Sequence, residues 1–217
     1  MKGLLVKDVK LMKSQMIFFI MIIFMSICLS LSMENILFNI GYLSIITPLF
    51  VLSTISFDEF ENGSAFLFTL PISRKEYIIE KYCFGMMLGI AALVLAIIFS
   101  LCMGMVKGLH VFSDVMFTVP FAISAIAVLL AVFIPTTIKF GGEKSKFVII
   151  IFAGIAGVIG FCIAKILKYF DADVKRIVDS ISNLNIGILI SGAIVLALCI
   201  VLLSIRISIS ILQKKEF

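Results

Sequence analysis

Residues 83–106 read CFGMMLGIAALVLAIIFSLCMGMV, an uncharged run long enough, at 1.5 Å per helical residue, to pass through a hydrocarbon layer about 30 Å thick. A core helix of a soluble domain keeps one polar face, whereas this run is apolar all round. Outward from it the pattern recurs at about 16–33, 36–57, 115–138, 147–167 and 186–209. The sequence therefore predicts an all-α integral membrane fold of six transmembrane helices, forming one domain over 1–217. Composition agrees: 62% of residues are hydrophobic and 14% charged, and the mean hydropathy is +1.26. Soluble domains do not have this balance. Short loops are all that remain between the runs, which leaves no room for a separate catalytic domain.

The connections set the topology. Glu34 and Asn35 form a tight turn that makes the first two spans antiparallel neighbours, and Pro48 is expected to kink the second. Lysines and arginines sit in groups at the ends of the apolar runs. An amino terminus on the inside places 13 of the 18 within, at Lys2, Lys7, Lys10, Lys13, Arg74, Lys75, Lys81, Lys139, Lys144, Lys146, Arg206, Lys214 and Lys215. Five fall outside, so both termini are predicted to be cytoplasmic. Residues 1–15, MKGLLVKDVKLMKSQ, read as a basic amphipathic lead-in on the membrane surface. A cleaved signal peptide competes for this segment, but the run that follows is long and lacks an Ala-x-Ala site. Between the last two spans, Phe170, Val174, Ile177, Val178 and Ile181 form one apolar stripe, which predicts an interfacial helix over about 169–182 on the outer side.

Several functions are disfavoured. No span carries a charge near its midpoint, where ion and proton pathways keep them. No phosphate-binding G-x-x-x-x-G-K-[ST] occurs, and Gly141-Gly142-Glu143-Lys144-Ser145 has neither the spacing nor a preceding strand, so it reads as a loop. The five cysteines lie in or beside apolar runs without CxxC pairs and read as packing residues, with no metal site. His110 stands alone in a loop, and Asn62-Gly63-Ser64 falls on the cytoplasmic side, where it would not be glycosylated. The basic residues mark span ends rather than one face, which argues against nucleic acid as a partner. Gly85-x-x-x-Gly89 and Gly104-x-x-x-Gly108 allow close helix approach, either within the chain or at a dimer seam.

The informative segment is 58–82, DEFENGSAFLFTLPISRKEYIIEKY, where charges mix with aromatics. Pro71 sets a turn or helix start, Ser73 is placed to cap the next helix, and Glu76 stands three residues on as its capping-box partner, with Arg74 between them. Upstream, Phe60, Phe66, Leu67 and Leu70 offer apolar anchors beside Asp58, Glu59 and Glu61, as a short helix docking in a protein groove requires. The bland alternative is a helix touching only lipid headgroups, which the three carboxylates oppose because the cytoplasmic leaflet is anionic.

This segment, the lead-in and the span layout together resemble the membrane subunit of bacterial ABC-2 type transporters, in particular the small permeases of phenol-soluble-modulin, bacteriocin or antibiotic-resistance exporters. The resemblance implies a multi-pass protein of the bacterial plasma membrane, paired with a second copy or a sibling permease and bathed in membrane lipids. It also implies a coupling helix from Asp58 through Leu70 that docks on a cytoplasmic ABC ATPase. ATP and magnesium would then belong to that partner, with no cofactor and no catalytic residue in this chain. The outer helix would line or close the outer end of the pathway. Without charge at mid-membrane, the expected cargo is amphipathic or hydrophobic: a peptide, antibiotic or lipid-like molecule. Two rivals stand beside this reading. One is an immunity or accessory membrane protein that needs no ATPase. The other is a lipid-modifying enzyme, for which Asp58, Glu59 and Glu61 would be the sole acidic cluster on the cytoplasmic side.

Overall fold

The computed structural model describes residues 2–32, 37–60, 72–108, 112–142 and 186–215, with single positions at 63, 67, 69, 144, 147, 154, 162 and 165. The regular elements among them are all helical: α1 (Lys2–Ser14), α2 (Met16–Ser32), α3 (Phe38–Ile46), a 3-10 turn (Thr47–Leu49), α4 (Phe50–Glu59), α5 (Arg74–Lys107), α6 (Phe112–Phe140) and α7 (Ile186–Lys214). Four stretches among the described residues are long and apolar enough to cross a membrane: Phe38–Glu59, Arg74–Lys107, Asp114–Phe140 and Ile190–Lys214. The pair α1 and α2, bent by 65° at Gln15, makes a fifth if counted as one broken span. Of the six crossings predicted, the run 147–167 lies outside the described residues except at positions 147, 154, 162 and 165. So does the outer helix at 169–182, with Phe170, Val174, Ile177, Val178 and Ile181.

Pro48 acts where the sequence placed a kink. It has no N–H to donate, so the chain tightens into the 3-10 turn between α3 and α4 and then resumes as helix. The long helix α5 has well-defined ends. Ser73 Oγ accepts from the Glu76 N–H, Glu76 Oε2 accepts from the Ser73 N–H at 3.0 Å, and Gly108 closes the far end with φ +66°. At 34 residues it is about 51 Å long, well beyond the hydrocarbon thickness. Its uncharged part, 83–106, is by itself long enough to cross, which leaves the charged stretch 74–82 as length beyond a crossing.

The core forms where α5 meets α6. A Cβ on Gly85 would come within 2.8 Å of Leu130 and one on Gly89 within 2.7 Å of Ile126, so this glycine row serves packing inside the chain. Gly108, in the second row, is a helix cap with open space around it.

Helix α6 contains Pro120 and Pro135, yet it runs unbroken. Pro135 deprives the Ala131 carbonyl of its helical N–H partner, and Ser204 of α7 donates its hydroxyl to that same carbonyl. Tyr82 of α5 is bonded to Ser204 at 2.6 Å and Ser208 at 3.2 Å, so one polar ladder joins three apolar helices. Ser204→Ala is expected to cost about 1 kcal/mol. In a Pro135→Ala background, where an N–H returns to the Ala131 carbonyl, the cost should shrink. A double-mutant cycle on unfolding midpoints in mixed micelles reads the difference, and equal costs in both backgrounds would remove this account of Ser204.

Candidate functional site

The two termini gather at one end of the bundle. Arg74, at the start of α5, donates to the carbonyls of Leu212, Gln213 and Lys215 at 2.6, 2.9 and 3.1 Å, which satisfies acceptors that the end of α7 leaves open. Beside this contact, α1, α4 and α5 bring their charges together. Lys81 is 0% exposed. Its Nζ lies 2.5 Å from Asp8 Oδ2 and 2.9 Å from Asp58 Oδ2, and it donates to Thr54 Oγ1 at 3.0 Å. Two hydrogen bonds, to Asp8 and Thr54, and an ion pair with Asp58 thus surround one ammonium. Asp58 also accepts from the Tyr77 hydroxyl at 3.1 Å, and its other oxygen pairs with Lys7.

Helical spacing builds this junction. Thr54 and Asp58 are one turn apart on α4, as are Tyr77 and Lys81 on α5 and Leu4 and Asp8 on α1, so each pair shares a face. In α1 that face is the buried one, which carries Asp8 inward while Lys10 and Lys13 stay exposed.

Glu80 differs from its neighbours. It is 1% exposed and neither carboxyl oxygen has a hydrogen-bond partner among the described residues. The closest ammonium is that of Lys81, at 3.9 Å. Loss of water pushes its pKa up to about 7, against the pull of Lys81 and with a further push from Asp8. With that carboxyl neutral, two carboxylates face two ammoniums and the buried charges balance. Burial and Asp58 likewise raise the Tyr77 phenol well above its usual range, so it stays a donor.

Because the folded pKa of Glu80 exceeds the ordinary 4.5, the folded chain holds a proton there that the unfolded chain has released. This group's stabilisation is full below pH 4.5 and is lost as pH rises to about 7. Unfolding midpoints recorded across that window for wild type and Glu80→Gln should diverge, the wild type losing stability towards neutral pH while the amide variant holds. Parallel curves would show that Glu80 does not carry the proton.

A second contact lies nearby. Glu59 Oε1 pairs with Lys215 at 2.7 Å, and Glu59 Oε2 accepts from the Gly142 N–H at 3.0 Å. Gly141, at φ +80°, ends α6, and a Cβ on Gly142 would sit 2.9 Å from the Ser56 Cα. The glycine pair thus lets the end of α6 reach α4.

The residues singled out in 58–82 separate in space. Asp58 faces inward to Lys81, Glu59 faces sideways to Lys215, and Phe60 is 68% exposed. Asp58 and Glu59 belong to the last turn of α4, and Phe60 leaves it with extended backbone at ψ 137°. Leu67 is buried, while Ser73 and Glu76 form the capping box. Glu61, Phe66, Leu70 and Pro71 lie outside the described residues. Sequence reading took Lys7 and Lys81 as topology charges and gave Asp8 and Glu80 no role. The available signal was Asp8, an acid on the apolar stripe of a basic helix.

Residues 3–213 match the family model described as ABC-2 family transporter protein. The chain belongs to the ABC-2 transporter family. No curated protein and no solved structure matches it. As an ABC-2 protein it is a multi-pass membrane component of an ABC transporter, a transport part rather than an enzyme in itself, and its family works with an ATP-binding subunit. In this ABC-2 chain the buried junction adjoins both ends of the segment between α4 and α5, the segment whose sequence carried the resemblance.

Proposed function

We propose that this chain is the permease subunit of an ATP-driven exporter in the bacterial plasma membrane, with the Lys81 end of the bundle on the cytoplasmic side. The lysine and arginine bias supports that orientation. The chain stands at the Lys81 end at Gly142 and returns to that end at Lys215 along α7, so it needs an odd number of crossings between Gly142 and Ile186. The apolar run 147–167 would supply one and bring the total to six. Two copies, or one copy and a sibling permease, would enclose the pathway, and ATP with magnesium would be held by the partner ATPase.

The observation that carries this reading is the junction itself. Asp8 on α1, Asp58 on α4 and Lys81 on α5 are locked together directly beside the segment 61–72, so a partner that moves the segment moves three helices at once. The partner would grip Phe60, Phe66 and Leu70, while Asp58 holds the joint from inside. With no charge at mid-membrane, the cargo class that fits is an amphipathic or hydrophobic peptide, antibiotic or lipid-like molecule.

Affinity purification from native membranes in mild detergent tests it. Wild type should bring down a near-stoichiometric ATPase, and a Phe60→Ala, Phe66→Ala variant with an unchanged unfolding midpoint should lose it. Recovery of no ATPase under conditions that preserve other transporter complexes would favour an immunity protein acting alone.

A further inference from the structure

An apolar groove of about 490 Å³ runs between α2 and α5, with Leu43 and Thr47 at its floor. Along α5 it extends from Leu88 to Cys102, about 21 Å at the helical rise, roughly two-thirds of the hydrocarbon depth. Helix α2 packs chiefly on α3, and most of its large side chains are exposed, which leaves this side open among the described residues. Ser26 and Thr47 are the polar residues in the lining, and Ser26 already donates its hydroxyl to Asn39. Such a wall offers water too few partners to hold it. A long, narrow, apolar slot parallel to the crossing helices has the shape of a hydrocarbon chain.

The end near α1 adds charge. Met12 and Met16 form the mouth there, and the 65° bend between α1 and α2 turns α1 out of line with the crossing helix, towards the headgroup layer. Lys10 and Lys13 share the exposed side of α1, with Lys13 directly after Met12, and make no ion pair among the described residues. We infer that the groove binds one acyl chain of an anionic phospholipid, whose phosphate is held by Lys10 and Lys13. A lipid seated there separates two crossing helices, so its presence sets the gap between α2 and α5. The site does not depend on the transport reading, except that the proposed orientation assigns it to the cytoplasmic leaflet.

The chain has no tryptophan, which makes a single reporter possible. Full-length Leu95→Trp, in mid-groove, and Leu196→Trp, on the exposed side of α7, are placed in vesicles of phosphatidylcholine and phosphatidylglycerol. The quenching bromines are carried by one lipid or by the other. At position 95, brominated phosphatidylglycerol should quench about fivefold more than brominated phosphatidylcholine at equal mole fraction, with no preference at position 196. Adding Lys10→Glu and Lys13→Glu should abolish the preference. Equal quenching by both lipids at position 95 would mean ordinary annular lipid and overturn the site. Absence of quenching there would mean the groove is filled by protein, and a preference that survives the lysine changes would remove the headgroup assignment. Should Leu95→Trp fail to fold, Ile98→Trp on the same wall reads the same outcomes.

Discussion

Replacing Lys81 with methionine should lower the stability of the folded chain by about 3–5 kcal/mol, the cost of stranding a buried charge. Methionine fills much the same volume, so the loss isolates electrostatics from packing. Without the ammonium, Asp8 and Asp58 face one another in a water-poor space. Lys7, about a third exposed, pairs with Asp58 and stands 3.5 Å from Asp8, so it offsets only part of that repulsion. Against a total stability of about 5–15 kcal/mol, such a loss should show as poor accumulation in the membrane as well as a lower unfolding midpoint. The test lies in the rescue: neutralising both acids, with Asp8→Asn and Asp58→Asn beside Lys81→Met, should recover a large part of the loss. If the triple variant is no better than Lys81→Met alone, the lysine matters for its shape and the ionic account fails. The pair Glu59–Lys215 makes the opposite case. Both partners are partly exposed, and such pairs contribute about 0–1 kcal/mol. The joint is therefore held by its buried half.

This difference bears on mechanism. On the proposed reading, a joint that transmits movement from the segment between α4 and α5 must hold its helices in fixed relation, and two hydrogen bonds and an ion pair on one ammonium do so by direction as well as strength. The raised pKa of Glu80 fits that balance, because ionising it adds a third carboxylate to a site with two cations. Membrane charge, cytoplasmic pH and partner contact would then converge on the same few turns of α1, α4 and α5.

Much of the architecture was open to reading because hydrocarbon imposes a simple rule: a crossing segment is apolar on every side and about twenty residues long. Residues 83–106 meet it outright. The Ser73–Glu76 capping box was legible for a similar reason, since its geometry is local and its residue types few. Lys81 and Asp8 were not. Their partnership spans 73 positions in sequence, and a lysine near a span end has an adequate explanation in topology alone. Asp58 was seen as important, but the sequence did not reveal which way it pointed. One residue of helical phase decides whether a carboxylate meets a partner protein or the core, and α4 continues without a break from the crossing helix into Glu59. The match between Pro135 and Ser204 was hidden too, because a proline's orphaned carbonyl names no donor. Only packing of α7 on α6 supplies one.

Gly89→Leu should be among the most damaging single changes in the apolar part of the chain, with an expected loss of about 3 kcal/mol or more. Even the first added carbon would stand 2.7 Å from Ile126 Cγ2, and Ile126 is itself fully buried and unable to swing away. A leucine there must push α5 and α6 apart, and with them Gly85 from Leu130 and Val51. Gly192→Ala, on α7 with open space around it, supplies the control: alanine is the better helix former, so that change should be neutral or stabilising by a few tenths of a kcal/mol. Combining Gly89→Leu with Ile126→Ala gives the decisive comparison, because the smaller side chain returns the space that leucine needs. The pair should lose less than the two single changes added together, by about 1–3 kcal/mol in unfolding experiments in mixed micelles. Additive losses would mean that Gly89 is needed for helix flexibility rather than for close approach, and that α5 and α6 are not held at the distance their small residues allow.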